Sequence, residues 1–130
     1  MPTVNDMTFQ FAGAAGTGCD SQGSGWARSL TRASLWTFAY FDFESRIRGG
    51  HIFYQIRVGE QPVESHSLGI HVLLAFDAEA IRERIDDVLP GGAVIFDENY
   101  DLTTPSSKAA TCWSSARRWS NSPTKSTAIA

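Results

Sequence analysis

The sequence predicts an α/β fold in which helices flank a layered sheet of mostly parallel strands. Two observations lead to this prediction. Segments that alternate apolar and polar residues are interleaved with segments in which apolar residues recur every three or four positions, and glycine-rich turns separate them. The chain has 130 residues, of which 42% are hydrophobic, so it is long enough for one domain with an ordinary core.

The first strand and the first helix are expected to be joined by glycines. The segment MTFQFAG, residues 7–13, alternates and stops at a glycine, which is typical of a strand. The segment WARSLTRASL has apolar residues at i, i+4 and i+7 and predicts a helix with one buried face. These positions are Trp26, Leu30 and Ala33. Asp20 or Ser21 is predicted to lie in the first turn of this helix.

Two or three further strands are expected in the middle of the chain. The run LWTFAYF, residues 35–41, is almost wholly apolar, and we expect a strand buried on both faces of a parallel sheet. The segment HIFYQIRV, residues 51–58, alternates and predicts the next strand. The stretch GEQPVESHS has turn residues and is expected to lead into a neighbouring strand that starts near Pro62.

The second half of the chain repeats the order of strand and helix. The segment IHVLLAFD, from Ile70, predicts a short buried strand, and Asp77 at its end is placed to cap the following helix. That helix is predicted over AEAIRERIDDVL, residues 78–89, with PGG ending it at 90–92. The segment AVIFDE, from Ala93, predicts another strand. Strands alternating with helices indicate a Rossmann-like sheet with parallel pairs.

The composition changes near residue 104. Residues 105–130 contain ten Ser or Thr residues and no acidic residue, whereas the 14 acidic residues of the chain all precede them. Such a segment cannot bury enough apolar surface to order itself. We therefore predict an α/β domain over residues 1–104 and a Ser/Thr-rich tail over residues 105–130, which is either disordered or the product of a change of reading frame.

Charge and cysteine content argue against several classes of function. A net charge of -3 without a concentrated basic stretch does not favour nucleic acid or a membrane surface as a partner. We find no secretory leader and no apolar run near the roughly 20 residues of a membrane span, so we expect a cytoplasmic chain. Cys19 and Cys112 form no CxxC motif, and the three histidines are scattered, so no metal site is expected. The histidines are His51, His66 and His71.

Two glycine-rich stretches are the candidate binding residues. The first, GAAGTGCDSQGSG from Gly13, has the spacing G-x-x-G-x-G at the place where α/β proteins bring backbone N–H groups to a phosphate, although on this pattern alone a simple tight turn is the preferred interpretation. The second, RIRGGHIFYQIRV, sets Arg46 and Arg48 before Gly49 and Gly50. Guanidinium groups beside an accessible backbone suit a phosphate or a carboxylate, and a strand entry with solvated arginines is the alternative.

No residue of the chain is a candidate for catalysis, because no Ser, His and Asp follow a recognisable nucleophile pattern such as G-x-S-x-G. Asp42 and Glu44 follow the second predicted strand, about where a dinucleotide-binding domain has its ribose-binding acid. A small NAD- or nucleotide-binding domain is therefore one alternative function, although a solvated strand end is the simpler interpretation of these acids. A purely structural interaction module is another alternative.

Five segments, taken in order, carry a resemblance to a known family. They are FQFAGAAGTG with Ser21 and Gly23 after it, SRIRGGHIFYQIRV, VESHS, HVLLAFDAEAI and VLPGGAVIFDE. The chain resembles, over about residues 5–98, the gamma domain of the 2-oxoacid:ferredoxin oxidoreductases, in the form fused to the front of the alpha subunit of 2-oxoglutarate-type enzymes. The most specific match is RGG followed by a strand that keeps Gln55 and Arg57.

The resemblance implies a component of an oxidoreductase that converts a 2-oxoacid to an acyl-CoA by oxidative decarboxylation, with ferredoxin as the electron acceptor. In such enzymes thiamine diphosphate and 4Fe-4S clusters belong to partner domains or subunits. The gamma domain packs on the thiamine-binding domains and helps to seat coenzyme A, so ferredoxin is only an indirect partner. The positions that the resemblance assigns to the cofactor or domain contact are Gly16, Gly18, Arg48, Gly49 and Gly50.

The chain also departs from the family pattern. Cys19 and Asp20 replace the more usual residues of the glycine turn. After the segment VIFDE, family alpha subunits continue into a thiamine-binding domain, whereas this sequence enters the Ser/Thr-rich tail. The resemblance therefore implies a truncated subunit, which we expect to be inactive on its own because its partner domains would supply the reacting groups.

Overall fold

The computed structural model describes residues 5–43 and 50–97, and the backbone of a short strand at 117–119. The elements in chain order are β1 (Met7–Ala14), α1 (Cys19–Arg32), β2 (Trp36–Phe43), β3 (His51–Gly59), β4 (Ile70–Ala75), α2 (Ala78–Arg84), a short 3-10 helix (Ile85–Asp87), β5 (Val88–Asp97) and β6 (Arg117–Trp119). Helices and strands alternate along much of the chain, so the α/β class is confirmed.

The strands form one mixed sheet in the order β2-β3-β1-β4-β5-β6. β3 runs antiparallel to both of its neighbours, β2 and β1, and these two ladders extend along nearly the whole of the strands. β4 runs parallel to β1 and to β5, and β6 runs parallel to β5. The prediction of mostly parallel strands is not confirmed, and the Rossmann-like arrangement is not confirmed either, because antiparallel β3 separates β2 from β1.

The direction of β3 follows from the length of the connection before it. A parallel crossover needs a dozen or more residues, usually including a helix. Only residues 44–50 connect β2 to β3. The chain therefore returns antiparallel to β2, and β3 occupies the position beside β1 that a parallel second strand would otherwise take.

The strand predicted over residues 35–41 is present as β2, but the prediction that it is buried on both faces is wrong. β2 pairs with β3 on one side, and within the described residues no strand pairs with its other side. Its aromatic side chains are correspondingly exposed, with Trp36 at 55% and Phe43 at 54%. The apolar run therefore forms an edge strand with an exposed aromatic surface.

Two other boundaries differ from the predictions. No strand begins near Pro62, because residues 60–69 form an irregular connection that reaches β4 at Ile70. The second helix ends at Arg84, five residues before its predicted end, and β5 begins at Val88. Val88 pairs with Ile70 of β4, and Pro90 favours an extended residue before it, so sheet pairing takes over the end of the predicted helix.

The core has two parts, one on each face of the sheet. On one face Ala12, Phe53 and Leu73 pack with residues of α2 and the 3-10 helix, which are Ala80, Ile81 and Ile85. On the other face Phe11, Ile56 and Val58 pack with Ala27 and Leu30 of α1. Successive residues of β1 therefore point to opposite cores, as the pleat of a strand requires.

Helix α1 buries only part of the predicted stripe. Asp20 lies in its first turn, as predicted, and Leu30 packs against the core, but the fully buried residues are Cys19 and Gly23, whereas Trp26 is 43% exposed. Gly23 lies against β3, where an added Cβ would come 2.5 Å from the Tyr54 ring. The absence of a side chain at this position lets the helix approach the sheet closely.

Gly23→Ala is expected to destabilise the chain by about 1–2 kcal/mol, because overpacking against the Tyr54 ring outweighs the better helix propensity of alanine. Gly25→Ala, in the same helix, is the matched control. An added Cβ there meets no atom within 4 Å, so this variant should gain roughly 0.5–1 kcal/mol from propensity alone. Urea unfolding of both variants tests the contact, and equal gains in the two would contradict it.

Two further predictions concern membrane-spanning segments and the tail. None of the helices within residues 5–43 and 50–97 is long and apolar enough to cross a membrane. Strand β6 falls in the predicted tail, whose other residues lie outside the described ones. The domain boundary at residue 104 therefore stays a prediction.

Candidate functional site at the glycine turn

The glycine turn, residues 13–18, connects the end of β1 to the start of α1. Gly16 has φ of 93° and Gly18 has φ of 87°, a backbone conformation in which other residues are strained. A Cβ at Gly16 would meet no atom within 4 Å. Gly16 is therefore required by the backbone rather than by lack of space, and the surface over the turn is open.

Gly13 at the base of the turn is required for the opposite reason. An added Cβ would lie 2.8 Å from Cβ of Phe76 and 3.0 Å from Sγ of Cys19. Thr17 closes the turn, since its Oγ1 and its backbone N–H both donate to the carbonyl of Ala14, at 2.7 and 3.1 Å. A tightly packed base therefore supports an open upper surface.

Helix α1 starts at this turn without a side-chain cap. Gly18 is the N-cap residue, and its carbonyl accepts the N–H of Gln22 at 3.0 Å. The first N–H groups of a helix have no partner within the helix, and they carry a partial positive charge. Asp20, exposed in the first turn, opposes the binding of an anion at this end.

The structure brings Gly50 to the glycine turn. The backbone N–H of Ala15 donates to the carbonyl of Gly50 at 3.0 Å, and Ala14 pairs with His51 in the ladder between β1 and β3. Three of the five predicted site residues therefore lie together at one end of the strands, where β1 ends and β3 begins: Gly16, Gly18 and Gly50. The other two, Arg48 and Gly49, lie outside the described residues.

Asp77 holds the same end of the sheet together from the side of α2. One carboxylate oxygen accepts the N–H of Ala80 at 2.7 Å and so caps α2, as the sequence predicted. The other oxygen accepts the N–H of Ala14 at 2.6 Å. A single side chain thus joins the start of α2 to the last residue of β1, directly below the glycine turn.

Sequence reasoning missed a cluster of titratable side chains at the same end of the sheet. His51 is 2% exposed and lies near three carboxylates, those of Asp77, Glu79 and Glu83, at nitrogen-to-oxygen distances of 3.5, 4.0 and 3.8 Å. Glu79 and Glu83 are four residues apart on α2 and share a face. That spacing was visible in the sequence, but nothing in the sequence indicated that His51 would face it.

The family-specific residues Gln55 and Arg57 lie on β3, further from the glycine turn. The amide nitrogen of Gln55 donates to the carbonyl of Ser67, and the guanidinium of Arg57 donates to both carboxylate oxygens of Asp6 at 3.1 Å. This hydrogen bonding by Arg57 lowers the pKa of Asp6. Gln55 therefore holds the connection between β3 and β4, and Arg57 holds the residue that precedes β1.

The thiol of Cys19 is buried at the base of the glycine turn, with 1% exposure, and lies 3.1 Å from Oγ1 of Thr17. Burial raises the pKa of this thiol, so it stays protonated at pH values where a free thiol ionises. We expect its reaction with a thiol reagent at pH 8 to be more than about tenfold slower in the native chain than in urea. The Cys112→Ser variant isolates this thiol, and equal rates would contradict the packing.

Asp42, the acid considered for a nicotinamide cofactor, is not beside the glycine turn. It lies near the end of β2 and pairs with Phe53 of β3, so β3 stands between it and β1. Dinucleotide-binding sheets place the second strand directly beside the first, which brings the ribose-binding acid near the glycine turn. The topology therefore argues against that alternative. Glu44 lies outside the described residues.

A shallow groove of about 440 Å³ lies between α1 and Tyr54 of β3, away from the glycine turn. Its lining residues are Ser24, Ala27, Arg28, Thr31, Arg32 and Tyr54. The two arginines make this groove a second place where an anion could bind. It competes with the glycine turn as the site of any phosphate.

Comparisons with known proteins agree on one family. The family model described as pyruvate ferredoxin/flavodoxin oxidoreductase matches residues 8–128. The alpha subunit of 2-oxoacid:ferredoxin oxidoreductase 2 from Aeropyrum pernix is 29% identical over 98 residues, which are 75% of this chain and 15% of that protein. The chain therefore spans less than a fifth of this curated relative.

Two solved structures of ferredoxin oxidoreductases also resemble the chain. The 2-oxoglutarate:ferredoxin oxidoreductase from Magnetococcus marinus, with 2-oxoglutarate, coenzyme A and succinyl-CoA bound, matches 88% of this chain and 20% of its own with a TM-score of 0.75 and 26% identity. The gamma subunit of keto/oxoacid ferredoxin oxidoreductase from Geobacter sulfurreducens matches 75% of this chain and 53% of its own, with a TM-score of 0.61 and 23% identity. At 23% identity, the similarity to the Geobacter sulfurreducens subunit shows a shared fold.

Proposed function

The chain belongs to the pyruvate ferredoxin/flavodoxin oxidoreductase family, and we propose that it is the gamma-type domain of a 2-oxoacid:ferredoxin oxidoreductase, where it helps to seat coenzyme A. In the proposed enzyme, partner domains carry thiamine diphosphate and 4Fe-4S clusters, the 2-oxoacid is oxidatively decarboxylated to an acyl-CoA, and ferredoxin takes the electrons. The domain binds and makes contacts, and its partners supply the reacting groups.

The observation that carries this proposal is the hydrogen bond between Ala15 and Gly50. It sets the open glycine turn against the residue that follows Arg48 and Gly49. Coenzyme A carries phosphate groups, and an accessible backbone suits such a group, as does a guanidinium from a residue that closely precedes Gly50 in the sequence. The likeness to a structure with coenzyme A bound supports the same assignment.

Charge explains why the arginine matters in this proposal. The acidic side chain of Asp20 stands in the first turn of α1 and opposes an anion, so the partial charge of the helix end is not sufficient. A guanidinium can offset that repulsion and donate two parallel hydrogen bonds to a phosphate. We therefore assign the main electrostatic contribution to Arg48.

The composition supports placing the other cofactors in partner domains. A 4Fe-4S cluster is held by four thiolates, and the chain has two cysteines, of which Cys19 is buried at the glycine turn. The chain also offers no nucleophile and base arrangement in its described residues that would attack a 2-oxoacid. The chain alone is therefore proposed to be inactive.

The exposed edge of β2 supports a contact role beside coenzyme A seating. Trp36, Tyr40, Phe41 and Phe43 are each more than 40% exposed along one strand. Aromatic side chains are enriched at protein interfaces, and an uncovered strand edge tends to be covered by another chain or domain. We propose that the thiamine-binding domains of the same enzyme cover this edge.

Calorimetric titration of the 130-residue chain with coenzyme A tests the proposal. Arg48→Ala should weaken binding about tenfold to a hundredfold, because a hydrogen bond between charged groups is lost. Arg48→Lys should fall between the two, since an ammonium keeps the attraction but not the paired hydrogen bonds. Asp42→Asn is the control and should leave the affinity for coenzyme A unchanged.

The outcomes separate the three functions considered. Weakening at Arg48 with indifference at Asp42 is the expected result. Binding of NAD that depends on Asp42 and not on Arg48 would favour a nucleotide-binding domain instead. Titrations that stay flat for all variants would overturn the coenzyme A role and leave a contact role alone.

A further inference from the structure

We propose that His51, Glu79 and Glu83 form a binding site for a divalent cation of the zinc class, with Asp77 orienting the histidine. This site is distinct from the glycine turn and does not rest on the proposed function. The sequence predicted no metal site, because the three ligands come from two segments 28 residues apart and show no recognisable metal-binding spacing.

The three side chains are close enough to share one ion. One ligand atom from each of His51, Glu79 and Glu83 can be chosen so that all three lie within 4.8 Å of one another. Two ligands on a tetrahedral zinc ion, each about 2.1 Å from it, are roughly 3.5 Å apart. Small side-chain rotations therefore bring the carboxylates of α2 and the imidazole of β3 to ligand spacing.

The strongest sign of a ligand is the imidazole itself. His51 is 98% buried, and its Nδ1 is a buried atom without a hydrogen-bond partner. That nitrogen faces Glu83, 3.8 Å from its Oε2, which is too long for a hydrogen bond, whereas the exposed carboxylate of Glu79 lies 4.0 Å from Nε2 and must rotate to reach the same ion. A buried polar atom without a partner costs stability, and an ion between Nδ1 and Glu83 would satisfy it.

The charges of the cluster favour a cation. Asp77, Glu79 and Glu83 bring three carboxylates close to one imidazole. The nearby guanidinium of Arg84 lies over the Phe53 ring, 3.6 Å from its centroid, and points Nη1 toward Asp87 at 3.4 Å. Like charges held this close repel, and a divalent cation between them would relieve that repulsion.

The ligand types indicate which ion. Imidazole nitrogen suits zinc and its neighbours in the first transition series, whereas magnesium and calcium prefer oxygen alone. The second ring nitrogen of a metal-bound histidine usually donates to a carboxylate, which fixes the ring. Here Nε2 of His51 faces Oδ1 of Asp77 at 3.5 Å. Nδ1 is therefore the assigned ligand, and Asp77 is the positioning residue.

An ion at this site would link α2 to the start of β3. His51 follows Gly50 directly, and Asp77 also holds Ala14 of β1. The ion is therefore assigned a structural role, since it would join α2 to β3 beside the contact by which Asp77 holds β1. Glu79 is 61% exposed on its side chain, so the ion can enter from solvent.

The test is a calorimetric titration of the 130-residue chain with Zn²⁺ at pH 7, for the unsubstituted chain, Glu79→Gln, Glu83→Gln and Glu64→Gln. Glu64 is exposed in the connection after β3, and its variant removes one charge away from the cluster. We expect one zinc ion per chain and a loss of affinity of at least tenfold for the two cluster variants only. Circular dichroism checks that each variant is folded.

X-ray absorption of the zinc-loaded chain gives the ligand types independently. The proposal predicts a shell of nitrogen and oxygen with imidazole scattering, and a sulfur shell would overturn it by pointing to a cysteine. Equal zinc affinity in all four chains, or no uptake up to about 1 mM zinc, would overturn it too.

Discussion

Asp77→Ala is expected to lower the free energy of unfolding by about 2–4 kcal/mol, the largest effect of any surface-accessible side chain at the glycine turn. The variant loses the cap of α2, which contributes about 0.5–2 kcal/mol. It also leaves the N–H of Ala14 without its charged acceptor, and such a bond contributes about 1.5–3 kcal/mol. Denaturant unfolding followed by circular dichroism measures the loss.

Two control variants separate these contributions. Asp77→Asn keeps one carbonyl oxygen and should retain about half of the lost stability, since it can satisfy either Ala80 or Ala14. Asp20→Ala removes an acid from the first turn of α1 that caps nothing, so its effect should stay below about 1 kcal/mol. A change of less than about 0.5 kcal/mol for Asp77→Ala would show that this side chain does not hold the end of β1 to the start of α2.

Leu73→Ala is expected to cost about 2–5 kcal/mol, because the side chain is 0% exposed in the core between β4 and α2. Leu68→Ala removes the same atoms from a residue that is 88% exposed and should change stability by less than about 0.5 kcal/mol. The comparison tests whether this chain, which spans a fifth or less of its larger relatives, folds around a packed core on its own.

The comparison of Leu73→Ala with Leu68→Ala also shows whether the core on the α2 face forms in the isolated chain. If the two variants unfold at the same denaturant concentration, the core on the α2 face is not formed in the isolated chain. The partner domains would then be needed for folding and not only for activity. A clear difference between Leu73→Ala and Leu68→Ala would establish the domain as an independent folding unit.

The sequence was sufficient for elements whose signals are local. β1, β3 and β4 lie where alternation and apolar runs placed them, and Asp77 caps α2 as its position after a strand predicted. Each of these depends on a side-chain period or on a cap within a few residues. Such signals do not depend on which strand becomes a neighbour.

The parts that the sequence did not predict depend on neighbours distant in the chain. The apolar run of β2 has the composition of a buried central strand, but β3 lies between it and β1 and leaves β2 at the edge of the described sheet. Val88 has helical spacing with Ile85 but pairs with Ile70 instead. In both cases sheet pairing outweighed local pattern, and pairing partners are not visible in one sequence.

The candidate site divides in the same way. The glycine turn was predicted because positive φ requires glycine, and Gly16 and Gly18 have it. The facing of His51 toward the carboxylates of α2 was not predictable, since it depends on β3 entering the sheet antiparallel beside β1. A histidine at the start of a strand has no sequence pattern that points to a helix 28 residues later.

An amide NMR titration of the 130-residue chain with coenzyme A shows directly where the cofactor binds. We expect shift changes at the amides of residues 15–19 and of Gly50, while Gly25 and Gly69, away from the turn, stay unchanged. Changes confined to the groove near Arg28 and Arg32, or no changes at all, would contradict the claim that the glycine turn seats coenzyme A.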